Sequence, residues 1–259
     1  MIEVHHAAQS GFSKDSSVYV SGRPGYPKQI DSWLRDTLGM CSNKLVVDLG
    51  AGTGKFTAHL VQTGADVIAV EPVQPMLDEL RRSYPSVCAK EGSATRIPLD
   101  DESADALFCA QAFHWFASTE TMDEIKRVLK PGGILGLIWN IRDETFDWVA
   151  ALSRIMIPYE EGTPRFHEGQ WRSVFPADGF AELQEVKFEH AHRGHFETVV
   201  VDRIMSVSFI AALSLSKREE VDRQIRRLVN SYPDLSDETD VRFPYQTLVA
   251  WTEKLLPGI

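Results

Sequence analysis

Between Lys44 and Asn140 the chain alternates short, apolar, β-branched runs with stretches of helical periodicity. That alternation restricts the fold more than any other feature of the sequence. The runs are 45-LVVDL-49, 66-DVIAVE-71, 87-VCAKE-91, 105-DALFCAQ-111 and 134-ILGLIWN-140, with helical stretches near 54–63, 74–83 and 119–129. They are almost continuously apolar, as strands are when helices cover both faces of a sheet. Strand and helix in this order specify a doubly wound α/β fold around a parallel, Rossmann-like sheet.

The flanks obey other patterns. Residues 1–43 read as a leader, with 19-YVSGRPGYP-27 too rich in Gly and Pro for regular structure and a helix over 28–40. After Asn140 comes a helix from Phe146 to Ile157, stopped by Pro158, and an irregular segment to Gly179. A strand over 182–191 follows, then helices over 198–212 and 217–231, the second behind a Ser216 N-cap, then a strand over 241–254. The two late strands extend the sheet to seven within a domain of residues 44–259. Helical segments at about 145–180 and 197–232 are expected to form a cap inserted after the fifth strand.

The first strand runs into a glycine-rich loop, 45-LVVDLGAGTGKF-56. A phosphate-binding GxxxxGK[ST] loop is excluded, because Leu49 stands where its first glycine belongs and Phe56 where its hydroxyl belongs. A dinucleotide GxGxxG fits Gly50 and Gly52, and Glu71 lies where its acid belongs. Lys55, however, occupies the third glycine, which must let the helix close on the strand. An acid followed by GxGxG, the pattern of loops that hold S-adenosylmethionine (SAM), is matched by Asp48, Gly50, Gly52 and Gly54. SAM presents an amino-acid tail and a sulfonium instead of a pyrophosphate. Glycines then let backbone approach where a Cβ would collide. Asp48 supplies negative charge near the cation, and Glu71 can accept from both ribose hydroxyls.

VIAVEPVQPML, GSATRIPLDDESADALFCAQAFHWF and IKRVLKPGGIL follow the loop. In that order they make the chain resemble the class I SAM-dependent methyltransferases over most of its length. RPGYP, AQAFHWF, WNIRD and SVSFIAAL are similar to the small-molecule branch that includes trans-aconitate methyltransferase-like proteins. The resemblance implies that Asp48, Gly50, Ala51 and Gly52 surround the methionine part, that Glu71 holds the ribose, and that Pro72, with Val73 and Met76, flanks the adenine. Where the family often has an acid facing the adenine amino group, this chain has Ser93 and Ala94, whose hydroxyl and N–H are the replacements. Gln111 is expected at the methionine tail or the methyl group. In AFHWF, His114 is a candidate general base and Trp115 a wall of the substrate pocket. The competing reading has these aromatics packing a short helix, with His114 a bystander.

Tyr19, Arg23 and Tyr26 are expected to fold over the site as a lid that contacts substrate, against the alternative of a rigid turn. Arg23 or Arg142 would pair with a carboxylate-bearing substrate. Trp148, Tyr159, Phe166, Trp171 and Phe209 are expected mostly in the core, and Lys55 on a solvated helix face. The implied reaction moves a methyl group from SAM to a small-molecule acceptor, an oxygen of a carboxylate or hydroxyl with a nitrogen as the alternative, leaving S-adenosylhomocysteine (SAH). Positioning and desolvation lower such a barrier, so a base is useful for a hydroxyl and unnecessary for a carboxylate.

Composition narrows the alternatives. A net charge of −10, spread over both halves, disfavours nucleic-acid partners, as does the absence of a [DN]PP[YF] motif. The basic stretch 217-KREEVDRQIRRLV-229 alternates in sign and reads as a solvated helix face. Cys41, Cys88 and Cys109 lack metal-ligand spacing, so no metal and a reducing, cytoplasmic compartment are expected. No signal-like N-terminus and no apolar run of membrane length is visible. A binding protein of this kind without turnover would carry a damaged loop, and this loop is intact. Oligomeric state is not legible.

Overall fold

The computed structural model describes residues 23–160, 166–232, 235, 239–256 and 258. Tyr19 lies outside them. Seven strands form one sheet in the order β3-β2-β1-β4-β5-β7-β6. They are β1 (Leu45–Leu49), β2 (Asp66–Val70), β3 (Cys88–Lys90), β4 (Ala104–Ala110), β5 (Leu129–Arg142), β6 (Gln184–Gly194) and β7 (Val241–Glu253). β1 lies between β2 and β4 and runs parallel to both. β7 is antiparallel to its neighbours β5 and β6. The helices are α1 (Gln29–Ser32, running on into a π-turn, Trp33–Thr37), α2 (Thr57–Gln62), α3 (Gln74–Ser83), α4 (Thr119–Val128), α5 (Asp147–Met156) and α6 (Leu215–Val229).

The period of two along each strand divides the core. Val47, Leu49, Leu107, Cys109, Leu135, Leu137 and Trp139 pack with Met122, Ile125 and Val128 of α4 and with Trp171. Val46, Ala106, Phe108 and Ile138 face the other way, onto Ile30, Trp33, Leu34, Phe56 and Leu60. Both faces are covered, which is why the strands read as unbroken apolar runs. Each fully buried Leu or Ile contributes about 1.5–3 kcal/mol relative to exposure.

A third apolar cluster joins Trp148, Leu152 and Met156 of α5, Val199 to Ile210, and Val221, Ile225 and Val229 of α6 to Phe243 and Tyr245 of β7. Because β7 is reversed, Tyr245 pairs with Arg142 at the carboxyl end of β5. These helices, the cap, therefore pack at the end of the sheet where the parallel strands finish.

Local boundaries depart most from the sequence reading in three places. The helix expected over 198–212 is three pieces, a π-turn at Glu197–Asp202, a turn at Arg203–Met205 and a short helix at Ser208–Ala211. α6 starts at Leu215 with Ser214, not Ser216, as its N-cap residue. β5 begins five residues early, because Leu129 already pairs with Ala104 before a register shift. Among the described residues, no helix is long and apolar enough to cross a membrane, and no group of side chains is arranged to hold a metal ion.

Candidate active site

The strand order reverses between β1 and β4, and such a crevice at the carboxyl ends of parallel strands is where open α/β sheets take ligands. Here a cleft is lined by Asp48, Gly50, Ala51 and Gly52 after β1, and by Glu71 and Pro72 after β2. Ser93 and Ala94 beyond β3, Gln111 and Trp115 after β4, and Arg23 and Tyr26 from the leader complete it. Of the residues singled out by sequence, His114 lies off this cleft and lines an adjoining cavity of about 370 Å³ with Trp139, Arg142 and Phe166. Arg23, Gln111, Trp115, Asn140 and Arg203 line both spaces.

Asp48 is completely buried, and its Oδ2 accepts from the Thr57 hydroxyl at 2.6 Å. Its Oδ1 is buried with no hydrogen-bond partner. Burial pushes the carboxyl up to about 7; the Thr57 bond pulls against that, and the nearby Glu71 charge adds to it. Glu71 accepts at Oε2 from the Gly52 N–H and at Oε1 from the Val73 N–H, both at 2.9 Å. Its carboxyl is raised by burial, against the pull of those two donors. Each of its oxygens keeps a lone pair for a further donor.

The three loop glycines all have positive φ, but for different reasons. A Cβ on Gly50 would stand 2.7 Å from the Ala112 Cβ, and one on Gly54 2.7 Å from the Tyr84 ring. A Cβ on Gly52 would meet nothing closer than Met76 Sδ at 3.9 Å. Gly50 and Gly54 thus serve packing within the protein, and Gly52 keeps the cleft floor open. An unpartnered buried carboxylate oxygen and an open glycine beside a second carboxylate fit a ligand carrying a cation and a diol, as SAM does.

Lys55 is not the solvated helix residue expected. It is half-buried, lines the cleft, and donates from Nζ to the Arg23 carbonyl at 2.5 Å. Burial, with Arg23 and Arg203 nearby, lowers it to about 8. Asn140 Nδ2 donates to the Gly25 carbonyl at 2.8 Å, and Arg23 Nη2 to the Ser206 carbonyl at 3.1 Å. Tyr26 packs edge-on against Phe56, centroids 5.2 Å apart. Residues 23–26 are thereby strapped across the cleft from the glycine loop to the cap.

Gln111 has φ +59, unusual for a side-chain-bearing residue and found where neighbouring structure enforces it. Its N–H donates to Ile138 O at 2.8 Å and its Nε2 to Asn140 O at 3.3 Å, which holds it at the junction of the two spaces. The AFHWF segment forms a short 3₁₀ turn, Phe113–Trp115, that divides its aromatics between roles. Phe113 is core, whereas Trp115 and Phe116 line the cleft. Trp139 Nε1 donates to His114 Nδ1 at 3.1 Å. An indole N–H only donates, so the neutral His114 ring carries its proton on Nε2 and offers a donor there; accepting a proton requires breaking the Trp139 contact. Ser93 sits in a turn bridged to Arg96, its hydroxyl 3.4 Å from that of Thr95.

Trp148, Trp171 and Phe209 are core, and Phe166 stacks on Trp171 while lining the second cavity. Sequence reasoning missed Arg203 and Asn140. Asn140 carried a signal, since it ends the fifth strand just where ligand residues follow parallel strands. Arg203 carried none.

A methyltransferase-domain family profile matches residues 47–137. A methyltransferase-like protein of Schizosaccharomyces pombe is 38% identical over 94% of this chain and 95% of its own length. Among solved structures, one described as a putative type II methyltransferase of Anaeromyxobacter dehalogenans superposes with a TM-score of 0.63 at 19% identity, covering 90% of this chain and 98% of that one. Phosphoethanolamine N-methyltransferase 2 of Haemonchus contortus, in complex with S-adenosyl-L-methionine, gives a TM-score of 0.54 at 15% identity over 96% of this chain and 56% of that one.

Proposed function

We propose that this chain, which belongs to the class I SAM-dependent methyltransferases, methylates an oxygen of a small-molecule acceptor. Gly52 carries the reading of the cleft. Its left-handed backbone leaves open space above it, and its N–H is fixed by the carboxylate of Glu71. When bound, SAM supplies an electrophilic methyl group on a sulfonium whose leaving group is a neutral thioether.

Asp48, with Gly50, Ala51 and Gly52, holds the methionine part, and the unpartnered Asp48 oxygen meets its positive charge. Glu71 accepts from the ribose hydroxyls. Pro72, Val73, Met76 and Ala94 give the adenine an apolar slot, with the Ser93 hydroxyl at its edge. Gln111 stands where cleft and second cavity join, and would line the passage between the cofactor and an acceptor. His114 donates from Nε2 to the acceptor and Trp115 walls the pocket. Arg23 and Tyr26 belong to a strap that excludes water once ligands are in place. Exposed, unpaired Cys41 and Cys88 and buried Cys109 fit a reducing compartment such as the cytoplasm.

The test is a turnover screen with SAM over carboxylic acids, phenols and amines, read by release of SAH. Release with an oxygen acceptor is expected. Release with amines alone overturns the oxygen assignment.

A further inference from the structure

The charge lining the second cavity does not match the rest of the molecule. The chain carries a net charge of −10, yet among the described residues this cavity is bordered by Arg23, Arg142 and Arg203 against one carboxylate, the exposed Glu144. The arginines differ in how their nitrogens are used. Arg142 donates from Nε to Ser153 Oγ at 3.2 Å and lies against Met156 Sδ, turned along the cap. Arg23 donates from Nη2 to the Ser206 carbonyl, holding the strap. Arg203 donates from Nε to the Tyr245 hydroxyl at 3.1 Å, while its Nη1 is shielded from water with no hydrogen-bond partner.

A guanidinium stays charged at any ordinary pH, and a shielded cationic N–H without an acceptor costs free energy. The phenol of Tyr245 satisfies one donor and neutralises no charge. The fold keeps this arrangement at a place that borders both the SAM cleft and the second cavity. His114, whose Nδ1 accepts from Trp139, carries its proton on Nε2 and adds a second hydrogen-bond donor to the lining of the same cavity.

We propose that the second cavity takes a small organic anion and that Arg203 Nη1 binds its anionic group, making Arg203 the residue that selects the acceptor. The proposal rests on the methyl-transfer reading of the adjoining cleft. Carboxylates and phosphate monoesters share the planar or triangular set of oxygens that a guanidinium fork grips, and they are separated by the test.

The experiment is calorimetric titration of the SAH-loaded protein, at constant ionic strength, with acetate, succinate, benzoate and phenyl phosphate. Methyl benzoate and benzylamine serve as neutral and cationic counterparts. At least one anion is expected to bind, and the two counterparts are not. Arg203→Met should weaken that anion about tenfold or more, the loss typical of one charge-assisted hydrogen bond. Arg203→Lys, which keeps charge and loses the fork, should fall between. Thermal unfolding of both variants checks that the fold is kept. No binding by any of the four anions, or equal affinity in Arg203→Met, overturns the proposal. If SAH itself fails to load the unaltered protein, the fault lies with the reading of the cleft.

Discussion

Asp48 concentrates the chemistry of the cleft in one side chain. Burial pushes its carboxyl up to about 7, so the fold favours the protonated form while no cation is bound. Its contribution to stability is complete below about pH 4 and is lost as pH rises through about 7. Denaturation midpoints of the ligand-free protein should therefore decline over that window, and Asp48→Asn should remove part of the decline. A cationic ligand favours the carboxylate instead. SAM binding should strengthen as pH rises toward 7, by up to about tenfold per unit, level off above it, and release a proton; titration in buffers of different ionisation enthalpy reads that release. The loop glycines give a second residue-scale outcome. Gly50→Ala combines a contact with Ala112 and a strained φ, and should cost about 2–4 kcal/mol in denaturant unfolding. Gly52→Ala meets open space and should cost about 1 kcal/mol, from φ alone. The sequence presents Gly50, Gly52 and Gly54 as equals. Their separate reasons depend on Ala112 and Tyr84, which lie far along the chain and arrive only on folding.

At the scale of elements, the strap of residues 23–26 joins the glycine loop, the end of β5 and the cap through Lys55, Asn140 and Ser206. If it closes the cleft, Lys55→Met should raise the dissociation rate of SAH about tenfold, followed by tryptophan fluorescence in stopped flow, because Trp115 lines the cleft. An unchanged rate contradicts the lid. Lys55 was misread from sequence because the burial of a residue after a glycine turn depends on what crosses above it, and a leader of Gly and Pro carries no periodic signal of where it will lie. The same limit explains Arg203. It sits in a segment whose apolar spacing marked a helix, but the broken helix and the reversed β7 bring that segment back over the strand ends. Strands such as β1 and β4 were legible because nearest-neighbour composition suffices to mark a strand covered on both faces.

For the whole molecule, strand existence was legible and strand order was not. The sequence between Lys44 and Asn140 announces alternation, but the placement of β7 between β5 and β6 is set by non-local pairing that no local pattern encodes. That placement carries the cap to the ligand end and makes the second cavity. A molecule built this way should gain stability from its cofactor as a unit, with SAM at about a hundred times its dissociation constant adding about 2.7 kcal/mol. The most direct measurement is calorimetric titration of the protein with SAM, SAH and NAD, repeated on Gly52→Arg. The account predicts one-to-one binding of SAM and SAH, none of NAD, and loss of both in Gly52→Arg with the fold retained. Binding of NAD without SAM, or unchanged SAM affinity in Gly52→Arg, contradicts it.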